Sequence, residues 1–199
     1  VLFWIAVTTG LRQGELLGLK WSDLDWQTRR LQIQRQVQRR KGKGLVFCEP
    51  KSASGRRVIS LGEKTIEILR GHREKQLMEQ IVAGDKWKEN DLIFPSPIGT
   101  PQDCANVLKA YKKCLEKAGL PNLRFHDLRH TAATLMLQQE INPKVVQERL
   151  GHSDISLTLN TYSHVLPSMQ EKAAEKMDEL FTLTEVSNEL RKIKQTKNQ

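Results

Sequence analysis

Several side chains that can bind phosphate or transfer protons lie close together in the last third of this sequence. Arg129 and Tyr162, one of only two tyrosines, share one segment with four of the five histidines: His126, His130, His152 and His164. Imidazole exchanges a proton near neutral pH, and arginine binds phosphate through two parallel hydrogen bonds. A phenol can act as a nucleophile when cationic neighbours help to remove its proton. We interpret this segment as half of an active site that acts on phosphodiesters, and we expect the other half to begin at Arg12.

The net charge favours a polyanionic partner. The 199 residues contain 32 Lys and Arg against 23 Asp and Glu, which leaves a net charge of +9 at pH 7. Nucleic acid is the leading candidate for such a chain, although many basic proteins bind none. The phosphodiester is therefore expected to be that of a nucleic-acid backbone.

The sequence favours a cytoplasmic protein without membrane association. The apolar start at residues 1–7 is far shorter than the roughly 20 residues that span a membrane. Cys48, Cys104 and Cys114 form no Cys-x-x-Cys pair and are typical of free thiols in a reducing compartment. Because the sequence begins at Val1 and not at Met, we expect it to be part of a longer protein.

Each residue of the predicted site also has an ordinary structural interpretation. Arg12 and Glu15 are three apart on a predicted helix and could form a surface ion pair of little energetic value. Tyr162 continues a helical stripe with Ile155 and Leu159, and a tyrosine in such a stripe more often belongs to the core.

The histidine pair His126 and His130 could in principle bind zinc, since the two residues are four apart on a predicted helix. No acidic residue follows the first histidine as in a His-Glu-x-x-His pattern, and no nearby cysteine completes a ligand set. We therefore predict no metal and no other cofactor.

Hydrophobic periodicity predicts a mostly helical chain. Helices are expected at 1–8, 11–19, 63–82, 102–118, 126–139, 144–150, after Ser153, which can cap the helix that follows it, and at 169–183. Asn142 and Pro143 are a good N-cap and first-turn pair. The helix at 63–82 is expected to direct four apolar residues inwards: Ile66, Leu69, Leu77 and Ile81. In the helix at 126–139, Leu128, Ala132 and Leu135 share an apolar face, and a different face carries His126, Arg129 and His130.

Between residues 31 and 61 the period changes to that of strands. Residues 31–34, 45–47 and 57–61 predict a three-stranded antiparallel sheet. Its first connection carries Arg39, Arg40, Lys41 and Lys43, and its second carries Lys51 and Arg56. Basic hairpins suit phosphate contacts, although such charges are often only solvated. The predicted fold class is α+β, a mostly helical domain with a small three-stranded antiparallel sheet near the N-terminal third.

The combined set of side chains matches what cleavage and rejoining of a phosphodiester requires without a metal. Such a reaction needs a nucleophile, fixed positive charge on the non-bridging oxygens, and an acid for the departing oxygen. Arginines stay charged and fork onto phosphate, histidine and lysine move protons, and tyrosine can attack the phosphorus. The chain therefore contains each required group.

Four segments, in the right order, resemble the boxes of the tyrosine recombinase (phage integrase) family. Residues 9–16, TGLRQGEL, resemble its first arginine box, and residues 125–131, FHDLRHT, resemble its His-x-x-Arg box. Residues 150–153, LGHS, with Thr158, Tyr162 and His164, resemble the closing box. The hairpin with Lys51, followed by RVISL at 57–61, resembles the family's lysine segment. The resemblance covers residues 9 to 164.

The resemblance implies the roles of the reacting groups. Arg12 and Arg129 would clamp the scissile phosphate. Tyr162 would attack the phosphorus and leave a 3′-phosphotyrosyl link with a free 5′-hydroxyl. Lys51 would protonate that leaving oxygen.

The remaining site residues would support this chemistry. By the resemblance, His126 would transfer protons with the nucleophile, and His152 would donate a hydrogen bond to the phosphate. Glu15 would orient the network of arginines and histidines, with His130 and His164 as further supporting residues.

The resemblance also implies domains and partners. Residues 1–166 would form a catalytic core whose first helix is truncated, and 167–199 a C-terminal helix and basic tail that contacts a neighbouring protomer. A complete family member carries a separate DNA-binding domain before the catalytic one. The expected partner is double-stranded DNA, bound by a homotetramer of the full-length protein, whereas the isolated domain would be a monomer. Five basic residues are expected to contact DNA: Arg39, Arg40, Lys41, Lys43 and Arg56.

Two other functions remain open at this point. A type IB topoisomerase uses similar chemistry but relaxes DNA as a monomer, without exchanging strands between partners. The second is a DNA-binding domain without catalytic activity, in which the cluster is only structural.

Overall fold

The structure, a computed structural model, describes residues 1–50, 53–161 and 166–182. Its helices are α1 (Leu2–Thr9), α2 (Gln13–Leu17), α3 (Glu63–Ala83), α4 (Cys104–Lys117), α5 (Asp127–Gln138), α6 (Pro143–Leu150), α7 (Ile155–Thr161) and α8 (Leu166–Thr182). Its strands are β1 (Leu24–Asp25), β2 (Arg30–Ile33), β3 (Gln36–Arg40), β4 (Gly44–Cys48) and β5 (Arg57–Ser60). The structure confirms the predicted α+β class with small antiparallel sheets.

The strands pair differently from the prediction. In place of one sheet there are two: a three-stranded antiparallel sheet in the order β1-β2-β5, and a separate β3-β4 hairpin. Leu31 lies opposite Ile59 in the first sheet, and Val37 lies opposite Phe47 in the second. The chain leaves the first sheet after Ile33 because β3 packs closely on α2: a side-chain carbon at Gly14 would lie 2.9 Å from the carbonyl oxygen of Val37.

The core lies between the sheets and the helices. It contains side chains from α1, α2, the strands, α3 and the segments around α4: Ile5, Leu16, Leu17, Leu31, Ile33, Ile59, Leu69, Ile93, Val107 and Leu115. α1 packs against α5, and α6 packs against α5 and β5. Since α1 also contacts α2, these contacts bring together the segments that carry Arg12, Arg129 and His152.

The prediction for the inward face of α3 was half right. Ile66 and Leu69 are buried, but Leu77 and Ile81 are 51% and 74% exposed. Gln76 is the last buried residue of this helix. The helix is therefore longer than the part of the core on which it packs, and its periodicity continues beyond that core.

Two helix starts near the site test the predicted caps. Asn142 caps α6 as predicted, since its side chain accepts a hydrogen bond from the amide of Lys144 at 2.8 Å. At α7 the cap is Asp154 and not the predicted Ser153: the Asp154 carboxylate accepts from the amide of Ser156 at 2.9 Å. Ser153 lies one residue too early to reach the first turn.

The chain divides into two compact units, Val1–Thr161 and Tyr162–Gln199. In the second unit, α8 begins three residues before the predicted helix. The predicted boundary between residues 166 and 167 stays a prediction. No helix in the described part of the chain has the length and apolar character that crossing a membrane requires.

Candidate active site

Arg12 lies at the N-terminus of α2, directly after the break between α1 and α2. Its Nη1 donates a hydrogen bond to Oε1 of Glu15 at 2.9 Å, and its backbone amide donates to the other carboxylate oxygen at 3.1 Å. Nη2 lies 3.4 Å from the carbonyl oxygen of Gly151, which follows α6. The Arg12 side chain remains 42% exposed, whereas that of Glu15 is 3% exposed. Glu15 thus holds a guanidinium that a ligand can still reach.

Arg57 is a member of this network that the sequence prediction missed. It lies at the start of β5, its side chain is 7% exposed, and its Nη2 donates to Oε2 of Glu15 at 2.9 Å. The strand pattern contained a signal for it, because Arg57 has the same parity as Ile59, which is buried, and the opposite parity to Val58, which is exposed. An arginine on the inward face of a strand needs a buried acceptor.

The Glu15 carboxylate is held in its ionised form. Burial acts to raise its pKa, but the hydrogen bond and positive charge of Arg57, together with the bonds from Arg12, outweigh burial and lower the pKa below its usual 4.5. A carboxylate between two guanidiniums therefore keeps both of them in place at neutral pH.

Arg129 lies on the buried face of α5, which corrects the predicted orientation of this helix. The residue is 3% exposed, and its Nη1 donates a hydrogen bond to the carbonyl oxygen of Gly10 at 2.7 Å. Ala132 and Ala133 share this face, whereas Leu135, predicted to be on the apolar face, is 50% exposed. The two small alanines allow α5 to pack closely on α1, and this contact brings Arg129 beside the segment that carries Arg12.

His126 and His130 meet at the start of α5. Their rings lie edge to face, with centroids 4.8 Å apart. Partial burial lowers the pKa of His126 first, and the charges of His130, Arg129, Arg12 and Arg124 lower it further. A neutral imidazole, able to accept a proton, is therefore favoured at position 126. Within the described residues no third His, Cys, Asp or Glu joins the pair in a cluster that could hold a metal ion.

His152 lies in the turn that follows α6. Its Nδ1 is 2.8 Å from the hydroxyl of Thr158, which is fully buried in α7. Burial, and then the charges of Arg129, Arg12 and Arg57, lower the pKa of His152 from 6.5 to about 4. The positive charges of three arginines that are far apart in the sequence therefore all act on this imidazole.

The first testable prediction concerns the titration of His152. Its pKa in the folded chain is expected near 4, against 6.5 in the unfolded chain. Since the folded state favours the neutral ring, the stability that depends on His152 is complete above pH 6.5 and falls as the pH drops towards 4. A titration of the imidazole nitrogens by NMR, assigned with His152→Gln, measures this pKa. Arg12→Gln should raise it, because a neighbouring positive charge is lost. A His152 pKa near 6.5 in the wild type would contradict the described surroundings.

Three predicted site residues lie outside the described residues: Lys51, Tyr162 and His164. Their predicted roles stay predictions. The described residues closest to them in sequence are Pro50 and Ala53 around Lys51, Thr161 at the end of α7, and Leu166 at the start of α8.

The basic hairpin differs in detail from the prediction. Arg39 and Arg40 belong to strand β3 and not to its connection, because pairing with β4 continues to Gly44. Arg39 forms an ion pair with Asp103, which also caps α4 through the amide of Ala105 at 3.0 Å.

The other basic residues of this region are exposed: Arg40, Lys41, Lys43 and Arg56. Arg56 pairs with Glu49, and this pair is also exposed. Part of the predicted basic surface is thus neutralised by its own carboxylates.

The fold and this cluster define a known class of protein. The chain belongs to the phage integrase family, whose model matches residues 1–169. It is 39% identical over 192 residues to a tyrosine recombinase XerC-like protein of Caldanaerobacter subterraneus subsp. tengcongensis, with 90% of this chain and 49% of the relative covered. It is 28% identical to the ICEBs1 integrase of Bacillus subtilis strain 168, with 89% of this chain and 48% of the relative covered. The chain therefore spans about half the length of these curated relatives.

A solved structure gives the same class. The Tn1549 transposon integrase in complex with transposon right end DNA is 29% identical, with a TM-score of 0.68 over 86% of this chain and 57% of the other. Membership of the family, expected from the four boxes, is confirmed.

Proposed function

We propose that this chain is the catalytic domain of a site-specific DNA recombinase, which cleaves and rejoins DNA strands through a 3′-phosphotyrosyl intermediate. The observation that carries the proposal is the meeting of two arginines and two histidines at one site: Arg12, Arg129, His126 and His152. Family membership supports it independently. The similar integrase structure in complex with DNA makes double-stranded DNA the proposed partner.

Positive charge at this site is suited to a scissile phosphate. Arg12 and Arg129 approach from α2 and α5, and each is held by a hydrogen bond, from Nη1 of Arg12 to Glu15 and from Nη1 of Arg129 to the carbonyl oxygen of Gly10. Each guanidinium would bind the non-bridging oxygens through two parallel hydrogen bonds. Neutral His152, whose Nδ1 is engaged by Thr158, would donate to the phosphate through Nε2. Phosphate binding would offset the charges that lower its pKa.

The proposed reaction exchanges one phosphodiester for another. The Tyr162 oxygen bonds to phosphorus while the bond from phosphorus to the 5′-oxygen breaks. The phenol proton passes to neutral His126, and the Lys51 ammonium supplies a proton to the leaving oxygen. Attack by a 5′-hydroxyl of a second strand reverses these steps and restores the tyrosine. The bond energy is kept throughout, so the reaction needs no ATP. The arginines would supply the positive charge on the non-bridging oxygens for which other enzymes use a metal ion.

Supporting roles follow from position. Glu15 orients Arg12, and His130 and His164 would support the two catalytic histidines and the tyrosine. The exposed residues Arg40, Lys41, Lys43 and Arg56 would contact DNA phosphates, with Arg39 available after its pairing with Asp103 is exchanged. The full-length protein would act in the cytoplasm as a homotetramer on DNA.

The proposal is tested by trapping the covalent intermediate. A pool of nicked duplexes with randomised sequence loses a short fragment on cleavage, which prevents rejoining and leaves the protein attached to DNA. Wild-type protein, alone or fused to a DNA-binding domain, should give an adduct that survives detergent and is unaffected by a chelator. Tyr162→Phe should abolish it, because the nucleophilic oxygen is lost.

The matched control is the other tyrosine. Tyr111→Phe should leave the adduct unchanged, since Tyr111 is 4% exposed and lies among Phe3 and Phe125 in the core. If the wild type gives no adduct in either form, the enzymatic proposal fails. Relaxation of supercoiled DNA without joining of two different duplexes would instead indicate topoisomerase activity.

A further inference from the structure

The backbone of His152 is held firmly in the turn after α6. The buried residue Gln147 donates from its side-chain amide to the carbonyl oxygen of His152 at 3.0 Å, and its own carbonyl oxygen accepts from the amide of His152 at 3.1 Å. The preceding residue, Gly151, has a φ of 70°, and a side-chain carbon there would lie 2.7 Å from Nη1 of Arg57. With the backbone fixed in this way, the orientation and the tautomer of the imidazole depend on the contacts of the ring itself.

The contact that decides the tautomer is the one with Thr158. Nδ1 of His152 lies 2.8 Å from the Thr158 hydroxyl, which is fully buried in α7. Within the described residues this hydroxyl forms no other hydrogen bond. A hydroxyl has one proton to donate, and buried polar groups are normally paired. Since Nδ1 is the acceptor within reach, the ring carries its proton on Nε2.

The other protonation states of His152 are disfavoured. A neutral ring with its proton on Nδ1 would donate to Thr158 and leave the hydroxyl proton buried without an acceptor, at the desolvation cost of an unsatisfied donor. A doubly protonated ring also carries a proton on Nδ1. Burial and the charges of Arg129, Arg12 and Arg57 oppose that form, since they lower the pKa of His152. Both forms with a proton on Nδ1 are therefore less stable.

We propose that Thr158 is a positioning residue that fixes His152 as the Nε2–H tautomer and so provides the hydrogen-bond donor for the scissile phosphate. This inference rests on the proposed recombinase function. Thr158 would contact neither the phosphate nor the nucleophile and would act only through the imidazole. A ring with the opposite tautomer would present a lone pair on Nε2, which repels the non-bridging oxygens.

The tautomer is measured directly by NMR at pH 7, without DNA. Two-bond ¹H–¹⁵N correlations distinguish a protonated ring nitrogen from one with a lone pair, and His152→Gln assigns the signals. In the wild type, Nε2 should be protonated and Nδ1 should not. Thr158→Val keeps the size of the side chain but removes the hydroxyl, so the two tautomers should become mixed. Thr158→Ser should restore the single tautomer.

The same variants are then compared in single-turnover adduct formation on the nicked duplexes. Thr158→Val should slow cleavage by about 3- to 10-fold, the effect of one ordinary hydrogen bond. His152→Ala, which removes the donor itself, should slow it by about 10²- to 10³-fold. Thr158→Ser should cleave at close to the wild-type rate. Binding of DNA should be unchanged in the Thr158 variants, because no charge is altered.

A matched control is a threonine on another helix. The Thr8 hydroxyl in α1 donates to the carbonyl oxygen of Trp4 at 2.8 Å, so Thr8→Val removes a helical hydroxyl that makes no contact with an imidazole. This variant should change neither the tautomer nor the cleavage rate.

The outcomes separate the two proposals. A proton on Nδ1 in the wild type overturns the inference about Thr158, even if Thr158→Val fails to fold. The inference also fails if Thr158→Val keeps the single Nε2–H tautomer, or if Thr158→Ser does not restore the rate. These results leave the recombinase proposal intact. Absence of a wild-type adduct, with the Nε2–H tautomer observed, would instead overturn the recombinase proposal and the role of His152 towards phosphate.

Discussion

Replacing Arg129 by lysine is expected to slow strand cleavage by about 10²- to 10³-fold, the usual effect of losing one preorganised donor to a developing charge. The Arg129 side chain is buried and held by the carbonyl oxygen of Gly10 at 2.7 Å. A lysine that keeps this bond has no second, parallel donor for the non-bridging oxygens. The rate of adduct formation in a single turnover, at saturating protein, measures the effect. Binding of DNA should change little, because the charge is retained.

The control for Arg129→Lys is the same substitution on the surface. Arg124 lies five residues earlier and pairs with Asp127 at 2.9 Å, with its side chain 81% exposed. Exposed pairs contribute little, so Arg124→Lys should cleave DNA at the wild-type rate. Arg129→Lys could instead fold normally and cleave DNA within a few-fold of the wild-type rate. That result would show that the reaction does not use two parallel hydrogen bonds from the Arg129 guanidinium.

The helices could be predicted because their signals are local. Asn142 and Pro143 begin α6 as expected, and the periodicity of α3 gave both of its ends to within a residue. Strand alternation also gave the positions of β2 and β5 to within a residue. What alternation does not contain is the identity of the neighbouring strand. The separation of β3 and β4 from the other strands depends on the close approach of β3 to α2, which is a tertiary contact.

In the candidate site, too, local signals could be predicted from the sequence and tertiary contacts could not. Arg12, Arg129, His126 and His152 could be found because their types and spacing resemble those of a family. The burial of Arg129 could not be predicted, since the apolar count of α5 favoured a different face and the Gly10 carbonyl that accepts from Arg129 lies 119 residues earlier in the sequence. Arg57 was missed for a related reason: it is the first residue of its predicted strand, directly after the basic connection that ends at Arg56, and its charge favoured a solvated side chain. Its importance appears only when the Glu15 carboxylate, 42 residues earlier, is seen beside it.

The Glu15 carboxylate should account for a large part of the stability of this region. Glu15→Gln removes the charge between Arg57 and Arg12 while keeping the size of the side chain. Removing one partner of a buried ion pair costs about 3–5 kcal/mol, because the remaining charge loses its compensation. The free energy of unfolding at pH 7, from urea denaturation, should therefore fall by about 3 kcal/mol or more. Glu67→Gln, which affects only an exposed pair with Lys64, should change it by less than about 1 kcal/mol.

The pH dependence of that difference identifies the carboxylate charge as its cause. The pKa of Glu15 is lowered in the folded chain, from 4.5 in the unfolded one. Stability from such a group is complete above the unfolded pKa and is lost as the pH falls through the folded pKa. The difference between wild type and Glu15→Gln should thus be constant from pH 7 to about pH 5, and it should shrink at lower pH as Glu15 becomes protonated. If the difference in the free energy of unfolding stayed constant throughout acid unfolding, the carboxylate charge would not be its cause. In that case the two arginines would be held by packing alone.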